Sequence, residues 1–287
     1  MKYEFIKDNR SSFRVKKMCH ALKVSVSGYY TYTQRGKSNR QIANDKLLNE
    51  IRVIYKQRRG IYGSPRITDD LRDNGHQCGK NRVARLMKEN DIIAKTKRRF
   101  RVTTQSKHAH PIAPNLVNMN FSSDSPNTLW VSDITYLWTR EGWSYLAAVM
   151  DVYSRQIVGW DMGKRLTQDL VINALQRAVW RRKMTDGIIF HSDRGSQYAS
   201  RDFRKMLRKY KMIQSMSGRG NCYDNAAMES FFHTLKTEHI YFERYETRDD
   251  AKKSIFEYIE IFYNRVRKHS ALNYKSPAAF EELALAA

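Results

Sequence analysis

Cysteine and acidic side chains are scarce in this sequence. Its three cysteines include no CxxC pair, which argues against a disulfide framework or a structural zinc site and fits a reducing cytosol. Against 52 Lys and Arg it has only 29 Asp and Glu, a formal net charge of +23. Such an excess destabilises a compact chain by self-repulsion unless a polyanion neutralises it, and nucleic acid is the commonest one. A basic ribosome-associated protein is the other explanation of this composition.

Long apolar runs are also missing. The longest run within the core, residues 145–150, is far shorter than the roughly 20 residues that span a bilayer. The first 17 residues contain no apolar stretch of the kind that an export signal requires. We therefore expect no membrane partner and no export. A length of 287 residues allows one core domain and at least one smaller unit.

The positive charge is concentrated in the N-terminal part of the chain. Residues 1–110 contain 27 Lys and Arg against 9 Asp and Glu, whereas residues 111–287 contain 25 against 20. We therefore expect the first part to bind phosphate groups and the second to be closer to an ordinary enzyme domain. Residues 1–43 are interpreted as a basic N-terminal arm. A short helix over 15–22 and a loosely ordered chain both fit the pattern there.

Residues 44–93 show the apolar spacing of short helices. Apolar side chains recur at helical intervals at the start, GIYGSP (60–65) interrupts them, and two shorter helical segments follow. The last segment, 80–90, carries Arg82 and Arg85 between its apolar positions. Three short helices with a basic last member favour a small all-α, helix-turn-helix-like domain with these arginines as DNA contacts. A purely structural helical bundle is the alternative.

Residues 94–126 have the composition of a basic linker. The stretch KTKRRFR (95–101) packs five cations into seven residues, and turn formers follow it. Such a run is usually no more than a solvated tail, but this one joins two candidate DNA-binding units. We therefore expect Lys97, Arg98 and Arg99 to follow the DNA backbone.

Residues 127–287 show the pattern of an α/β domain. Three segments rich in β-branched and aromatic residues, 129–138, 143–154 and 155–162, predict strands joined by tight turns. A helix, a buried strand that ends at Asp193, a second helix, a fifth strand and further helices follow. The order βββαβαβα is that of a ribonuclease-H-like catalytic core. An ordinary doubly wound α/β domain is less compatible, because it does not open with a three-strand meander.

Three acidic residues stand in contexts that suit phosphodiester chemistry. That chemistry uses clustered carboxylates to hold two divalent cations about 3.5–4 Å apart, and Mg²⁺ prefers their hard oxygens. Asp133 lies mid-strand between apolar neighbours, Asp193 ends a buried strand, and Glu229 borders the apolar face of a helix predicted over 224–239. These are the candidate catalytic and metal-binding residues. Each has an ordinary structural explanation when taken singly, and three other acids compete for the role: Asp151, Asp161 and Asp224.

The edge of the same predicted helix carries further polar residues. At 100° per residue, Asn225, His233 and Lys236 lie close beside Glu229, while the phenylalanines form the packing face. We expect these three to contact DNA, with Lys236 near a phosphate beside the metal site.

In the C-terminal segment, Tyr263 and Phe280 are expected to pack within the protein. Four polar residues of that segment are expected to touch DNA instead: Asn264, Arg267, Lys268 and His269.

Taken together, these residues resemble a known family. The 35 residues between Asp193 and Glu229 match the D,D-35-E spacing of retroviral integrases and many bacterial insertion-sequence transposases. YGSPRI (62–67) resembles the small helix-turn-helix segment of one such family, the second-frame (OrfB) products of the IS-three family of insertion sequences. Four further stretches are similar to the same family: WVSDITYL (130–137), HSDRGSQY (191–198), GNCYDNAAMESFFHTLK (220–236) and YNRVRKHSALNYKSPAAF (263–280).

The resemblance implies a DNA transposase with an integrase-type core. Asp133, Asp193 and Glu229 would be its metal-binding triad, and Mg²⁺, or Mn²⁺ in its place, would be the cofactor. The enzyme would cut one strand at an element end and use the freed 3′-hydroxyl to attack another phosphodiester. A ribonuclease-H-like nuclease without strand transfer and a non-catalytic DNA-binding regulator are the alternatives.

The resemblance also implies partners and a location. The element's terminal repeats and the target DNA would be the substrates, and a homo-oligomer would hold two ends in the bacterial cytoplasm, on the nucleoid. Similar proteins are often made as a fusion with a first-frame (OrfA) product, which carries a helix-turn-helix and a leucine zipper. No sustained heptad occurs in this sequence, so the first-frame product is expected as a fusion or a separate partner.

Overall fold

A computed structural model of the protein describes residues 1–95, 111–118, 121–182, 186–218 and 225–286. Its first residues fold into three short helices: α1 (Lys2–Asp8), α2 (Val15–Ala21) and α3 (Val26–Gln34). These helices pack around a small apolar core formed by Ile6, Met18, Cys19 and Tyr29. Of the two alternatives for the basic N-terminal arm, the helix over 15–22 is found as α2, and residues 1–34 form a folded helical unit rather than a loosely ordered chain. Helices of this length make only about two turns, so their sequences show no clear apolar period. Contacts between them, rather than their own sequences, provide most of their stability.

A second helical unit follows, with the three helices that the sequence predicts. They are α4 (Asn39–Gln57), α5 (Ser64–Asp73) and α6 (Lys80–Glu89). The first begins earlier than predicted, because Ser38 forms a reciprocal capping box with Gln41. The chain leaves α4 through Gly60, whose φ of +73° lies in the left-handed region that glycine adopts without strain. Pro65 fits at the start of α5, where its missing N–H costs nothing.

The rest of the chain is built on one mixed sheet of five strands. These are β1 (Leu129–Thr139), β2 (Gly142–Asp151), β3 (Ile157–Gly163), β4 (Ile189–Ser192) and β5 (Ile213–Met216). Their spatial order is β3-β2-β1-β4-β5. The first three form an antiparallel meander, and β4 and β5 extend the sheet in parallel with β1. This arrangement confirms the predicted ribonuclease-H-like α/β core preceded by all-α units.

Helices cover both faces of the sheet. α7 (Gln168–Arg181), α8 (Ser196–Ala199) and α9 (Arg201–Lys209) pack with one face around Trp130 and Phe190. α10 (Ala226–Glu238) and α11 (Arg248–Phe256), which continues as a π-helix over Glu257–Tyr263, cover the other face, and α12 (Pro277–Ala286) ends the described chain. Across the described ranges, no helix is both long and apolar enough to cross a membrane.

The second helical unit docks on the C-terminal segment of the core. The Tyr62 hydroxyl accepts a hydrogen bond from the backbone N–H of Lys268 at 2.8 Å. The Lys268 ammonium forms ion pairs with three aspartates of α5: Asp69, Asp70 and Asp73. The apolar side chains of α4 to α6 also belong to the same core cluster as those under β1 and α10. The unit and the core are therefore packed as one body.

This docking corrects the expectation that four polar C-terminal residues touch DNA. Asn264 is 2% exposed, and its side-chain amide bonds both the N–H and the carbonyl of Ile157. Arg267 is 4% exposed and binds Glu238 with two bonds of 2.6 Å. Lys268 is held by the aspartates of α5, and the ring of His269 packs edge-on against Tyr263. These side chains join segments of the protein to each other. The expected packing of Tyr263 and Phe280 is found, with Phe280 against Tyr153.

Candidate active site

Parallel pairing of β1 with β4 brings two of the candidate acids together. Ser132 and Ser192 are register partners on these strands. Asp133 and Asp193 are the next residues along each chain, so they lie side by side at the same end of adjacent strands, which are spaced by about 4.8 Å. The backbone orients both carboxylates: Ile134 N–H donates to Asp133 Oδ1 at 2.8 Å, and Gly195 N–H donates to Asp193 Oδ1 at 2.9 Å. The sequence predicted both positions.

Helix α10 brings the third acid to this edge. Its apolar face, predicted from the periodicity, is buried: Met228, Phe231, Phe232 and Leu235. Asn225 precedes the helix and donates its side-chain amide to the Ser132 carbonyl at 3.2 Å, next to Asp133. Glu229 lies one turn further on, on the exposed side of α10 and within electrostatic reach of Asp133.

Repulsion and burial dominate the electrostatics of this cluster. Burial first, then the neighbouring Asp193 and Glu229, raise the pKa of the Asp133 carboxyl to about 8. Burial also raises the pKa of Glu229. Lys236 opposes these effects on Asp133, although burial lowers the pKa of this lysine itself. Acids assembled in this way are stabilised by a proton or by a bound cation.

The three carboxylates are near each other but are not gathered around one point. In the part of the chain that the structure describes, no three His, Cys, Asp or Glu side chains are close enough to share a metal ion as they stand. The two aspartates are fixed on strands, whereas Glu229 is on an exposed helix edge, so the position of α10 decides how close the third acid comes.

The polar residues predicted beside Glu229 have different surroundings. His233 is exposed. The Lys236 ammonium lies over the ring of Tyr136, 4.9 Å from its centroid. Asn225, in contrast, is only 6% exposed and faces β1. We therefore assign Asn225 to positioning α10 rather than to the DNA contact that we expected.

Of the two arginines predicted to contact DNA in the second helical unit, one is exposed and one is half-buried. Arg85 is exposed and pairs with Glu89 at 2.8 Å. Arg82 is half-buried and bonds Asn44 at 2.9 Å. Together with Arg40, both arginines line one shallow depression of the surface. The remaining predicted contacts, Lys97, Arg98 and Arg99, lie outside the described residues.

The competing acids have structural partners. Asp151 is fully buried and accepts hydrogen bonds from the N–H groups of Asn127 and Tyr153 at 2.8 and 3.0 Å. Asp161 pairs with Arg177 at 3.0 Å. The third competitor, Asp224, lies outside the described residues.

Two side chains that support the site were not singled out from the sequence. The hydroxyls of Ser132 and Tyr198 are 2.8 Å apart, in the layer beneath the aspartates. Burial, followed by the charges of Asp133 and Asp193, raises the pKa of the Tyr198 phenol. Both residues belong to the stretches WVSDITYL and HSDRGSQY, so adjacency to the acids was the signal that could have identified them.

Comparison with known proteins identifies the domains of the chain. Residues 123–222 match the family described as Integrase core domain, and residues 210–277 match a second family of that description. Residues 43–100 match the HTH-like domain family. The fold and the family matches define the chain as a polynucleotidyl transferase with an integrase core and a DNA-binding helix-turn-helix-like domain.

The full-length relatives define it more narrowly. The chain is 41% identical to the transposase InsF for insertion sequence IS3A of Escherichia coli (strain K12), with 100% of each chain covered. It belongs to this family of insertion-sequence IS3 transposases, which are enzymes of the DDE type. It is also 48% identical to an insertion element IS600 uncharacterized 31 kDa protein of Shigella sonnei, over 92% of this chain and 97% of that protein.

Solved structures of retroviral proteins are more distant. A chain of the simian T-cell lymphotropic virus intasome is 15% identical with a TM-score of 0.47, over 77% of this chain and 70% of that one. The HTLV-2 integrase catalytic core domain, in complex with magnesium, is 14% identical with a TM-score of 0.40, over 56% of this chain and 99% of that one.

Proposed function

We propose that Asp133, Asp193 and Glu229 are the catalytic carboxylates of this transposase and that they hold two Mg²⁺ ions, or Mn²⁺ in their place. The observation that carries the proposal is the pair of aspartates on neighbouring parallel strands, with Glu229 on the helix beside them. All the donor atoms are carboxylate oxygens, the ligands that Mg²⁺ prefers. The raised pKa of Asp133 supports the same conclusion, because a bound cation would relieve the repulsion among the acids.

The surrounding residues are suited to binding DNA beside such a centre. When bound, a pair of cations activates the attacking oxygen and stabilises the leaving oxygen in phosphodiester exchange. Lys236, which lies over the Tyr136 ring, would bind a DNA phosphate next to the acids. His233 adds a second contact on the exposed side of α10, and Asn225 fixes the start of this helix against β1.

DNA binding outside the core is proposed for the basic residues of the second helical unit and the linker. Arg82 and Arg85 would contact phosphates from the depression that they line, and Lys97, Arg98 and Arg99 would follow the backbone between the two domains. We further propose that two or more copies hold the element ends, with a first-frame product as fusion or partner. The site of action would be the nucleoid in the bacterial cytoplasm.

The test is strand cleavage and strand transfer on terminal-repeat oligonucleotides in Mg²⁺. Asp133→Asn, Asp193→Asn and Glu229→Gln should each reduce both products by more than about a thousandfold, while DNA affinity changes little, because each removes a cation ligand. Asp186→Asn is the matched control, since this acid is 72% exposed and pairs with Lys211. Activity retained in any one of the three variants would exclude that residue from the triad. Cleavage without transfer products in the wild type would favour a nuclease.

A further inference from the structure

The N-terminal helical unit has the geometry of a helix-turn-helix of its own. Only the four residues 22–25 separate α2 from α3. Lys23 turns the chain with a φ of +50°, and the N–H of Val24 donates to the Cys19 carbonyl at 2.9 Å. α1 packs against both helices through Ile6, which completes a three-helix unit. A tight turn of this length between two short helices is the form that DNA-binding proteins use. The unit lies outside the matched domains, which begin at residue 43.

The outer face of α3 is polar and exposed. Four side chains at the spacing i, i+3, i+4 and i+7 project from one side of this helix: Ser27, Tyr30, Thr31 and Gln34. On the opposite side Tyr29 is buried in the core of the unit, and Gly28 leaves room for the Tyr3 hydroxyl. Hydroxyl and amide groups of this kind can pair with base edges in the major groove. The large side chains that α3 exposes, Tyr30 and Tyr32, each carry a hydroxyl, so this helix presents no aliphatic patch for a protein partner.

The charge around this face fits a polyanion. Residues 1–36 contain eight Lys or Arg and two Asp or Glu, and no acid occurs from the start of α2 to the end of α3. Lys16 and Lys17 lie exposed at the start of α2, and Lys23 lies exposed in the turn. In a helix-turn-helix the first helix crosses the DNA backbone while the second enters the groove, so these lysines are where phosphates would be met.

We propose that α1 to α3 form a second DNA-binding domain, which inserts α3 into the major groove of duplex DNA. Ser27, Thr31 and Gln34 contact base edges, and the three lysines contact phosphates. The protein then binds DNA with two separate helical units, and the N-terminal unit recognises the base sequence. This inference rests on the proposed function only in that DNA is the substrate.

The experiment is selection of binding sites from a randomised duplex library by the full-length protein. The wild type should select a defined motif. Thr31→Ala with Gln34→Ala should erase that motif and weaken binding to the selected duplex about tenfold or more, since losing one base contact costs about tenfold in affinity. Arg82→Ala with Arg85→Ala serves as the matched comparison in the other unit and should weaken binding while leaving the motif intact. Because all four side chains are at least partly exposed, the variants should unfold at nearly the wild-type temperature.

A charge test separates phosphate contacts from base contacts. Lys16→Ala with Lys17→Ala should weaken binding equally across sequences and reduce the slope of log affinity against log salt by about 2. Lys252→Ala with Lys253→Ala, exposed on α11, removes the same charge elsewhere and should change the slope less.

Two outcomes would overturn the inference. An unchanged selected motif in the α3 variants would mean that this helix does not contact bases. Loss of self-association or of first-frame binding, with DNA selection intact, would assign the face to a protein partner. Binding is scored without cleavage, so failure here leaves the triad proposal standing, and failure of the triad leaves this inference standing.

Discussion

At the scale of single residues, the site centres on a carboxyl group that the metal-free protein keeps protonated. Asp133 is surrounded by the packing of β1 and faces two more acids, so its pKa is raised to about 8. The nearby Lys236 favours the ionised form of Asp133, but burial and the two acids outweigh it. At neutral pH the carboxyl is therefore largely neutral, and binding of a cation would have to displace its proton. Cation affinity should accordingly increase with pH.

The same shift predicts how stability depends on pH without metal. The pKa of Asp133 is higher in the folded chain than the usual 3.8, so the folded state binds the extra proton and stability falls as pH rises between the two values. Asp133→Asn should remove this slope and raise Tm near pH 8 by several degrees, since about 1 kcal/mol shifts Tm by roughly 2–4 °C at this size.

Scanning calorimetry in the presence of a chelator, at about pH 5 and about pH 8, measures the Tm of the variant relative to the wild type. Asp186→Asn, a substitution of an exposed acid, is the control and should shift Tm equally at both values. The explanation would be wrong if Asp133→Asn behaved in the same way as this control.

At the scale of elements, the sequence predicted the strands and helices whose patterns depend on residues close together in the chain. β1 and β4 are apolar runs, and the places of Asp133 within one and Asp193 at the end of the other are visible in a few consecutive residues. The roles of Arg267 and Lys268 were not predicted, because their partners are distant in the chain. Glu238 is 29 residues from Arg267, and Asp69 is 199 residues from Lys268. A charge pattern does not distinguish an ion pair with a distant carboxylate from a phosphate contact. α1 and α3 were missed, and α2 was only one of two alternatives, because each is shorter than the window over which apolar periodicity is clear.

Helix α10 offers a test that separates positioning from DNA contact. Asn225→Ala removes the bond to the Ser132 carbonyl, worth about 0.5–1.5 kcal/mol, and should slow cleavage by up to about tenfold while DNA affinity stays within about twofold. His233→Ala, on the exposed side of the same helix, should weaken DNA binding instead. Cleavage rates at saturating DNA, together with binding titrations, measure both effects. Equal loss of DNA affinity in the two variants would mean that Asn225 contacts DNA.

At the scale of the whole molecule, the second helical unit is joined to the helix that carries Glu229. Glu238, the last residue of α10, binds Arg267 at 2.6 Å and lies 3.4 Å from Arg66 of α5. Beside this contact, Lys268 is enclosed by the aspartates of α5. A movement of the second helical unit on binding DNA would therefore displace α10 directly. We therefore expect the position of Glu229 to depend on that docking.

Breaking the docking should be costly for stability and for catalysis together. Lys268→Met leaves Asp70, which is 4% exposed, with Arg58 as its remaining cation at 2.7 Å, and should destabilise the protein by about 1.5–3 kcal/mol, the usual cost of losing a hydrogen bond to a charged group. Lys211→Met breaks a surface ion pair whose lysine is 70% exposed, and should leave the free energy of unfolding nearly unchanged. Urea denaturation of both variants gives the two values. Cleavage by Lys268→Met should fall below that of Lys211→Met even where both are folded, because the substitution weakens the docking of α5, whose Arg66 contacts Glu238 at the end of α10. Equal stability and equal cleavage in the two variants would mean that the helical unit and the active site act independently.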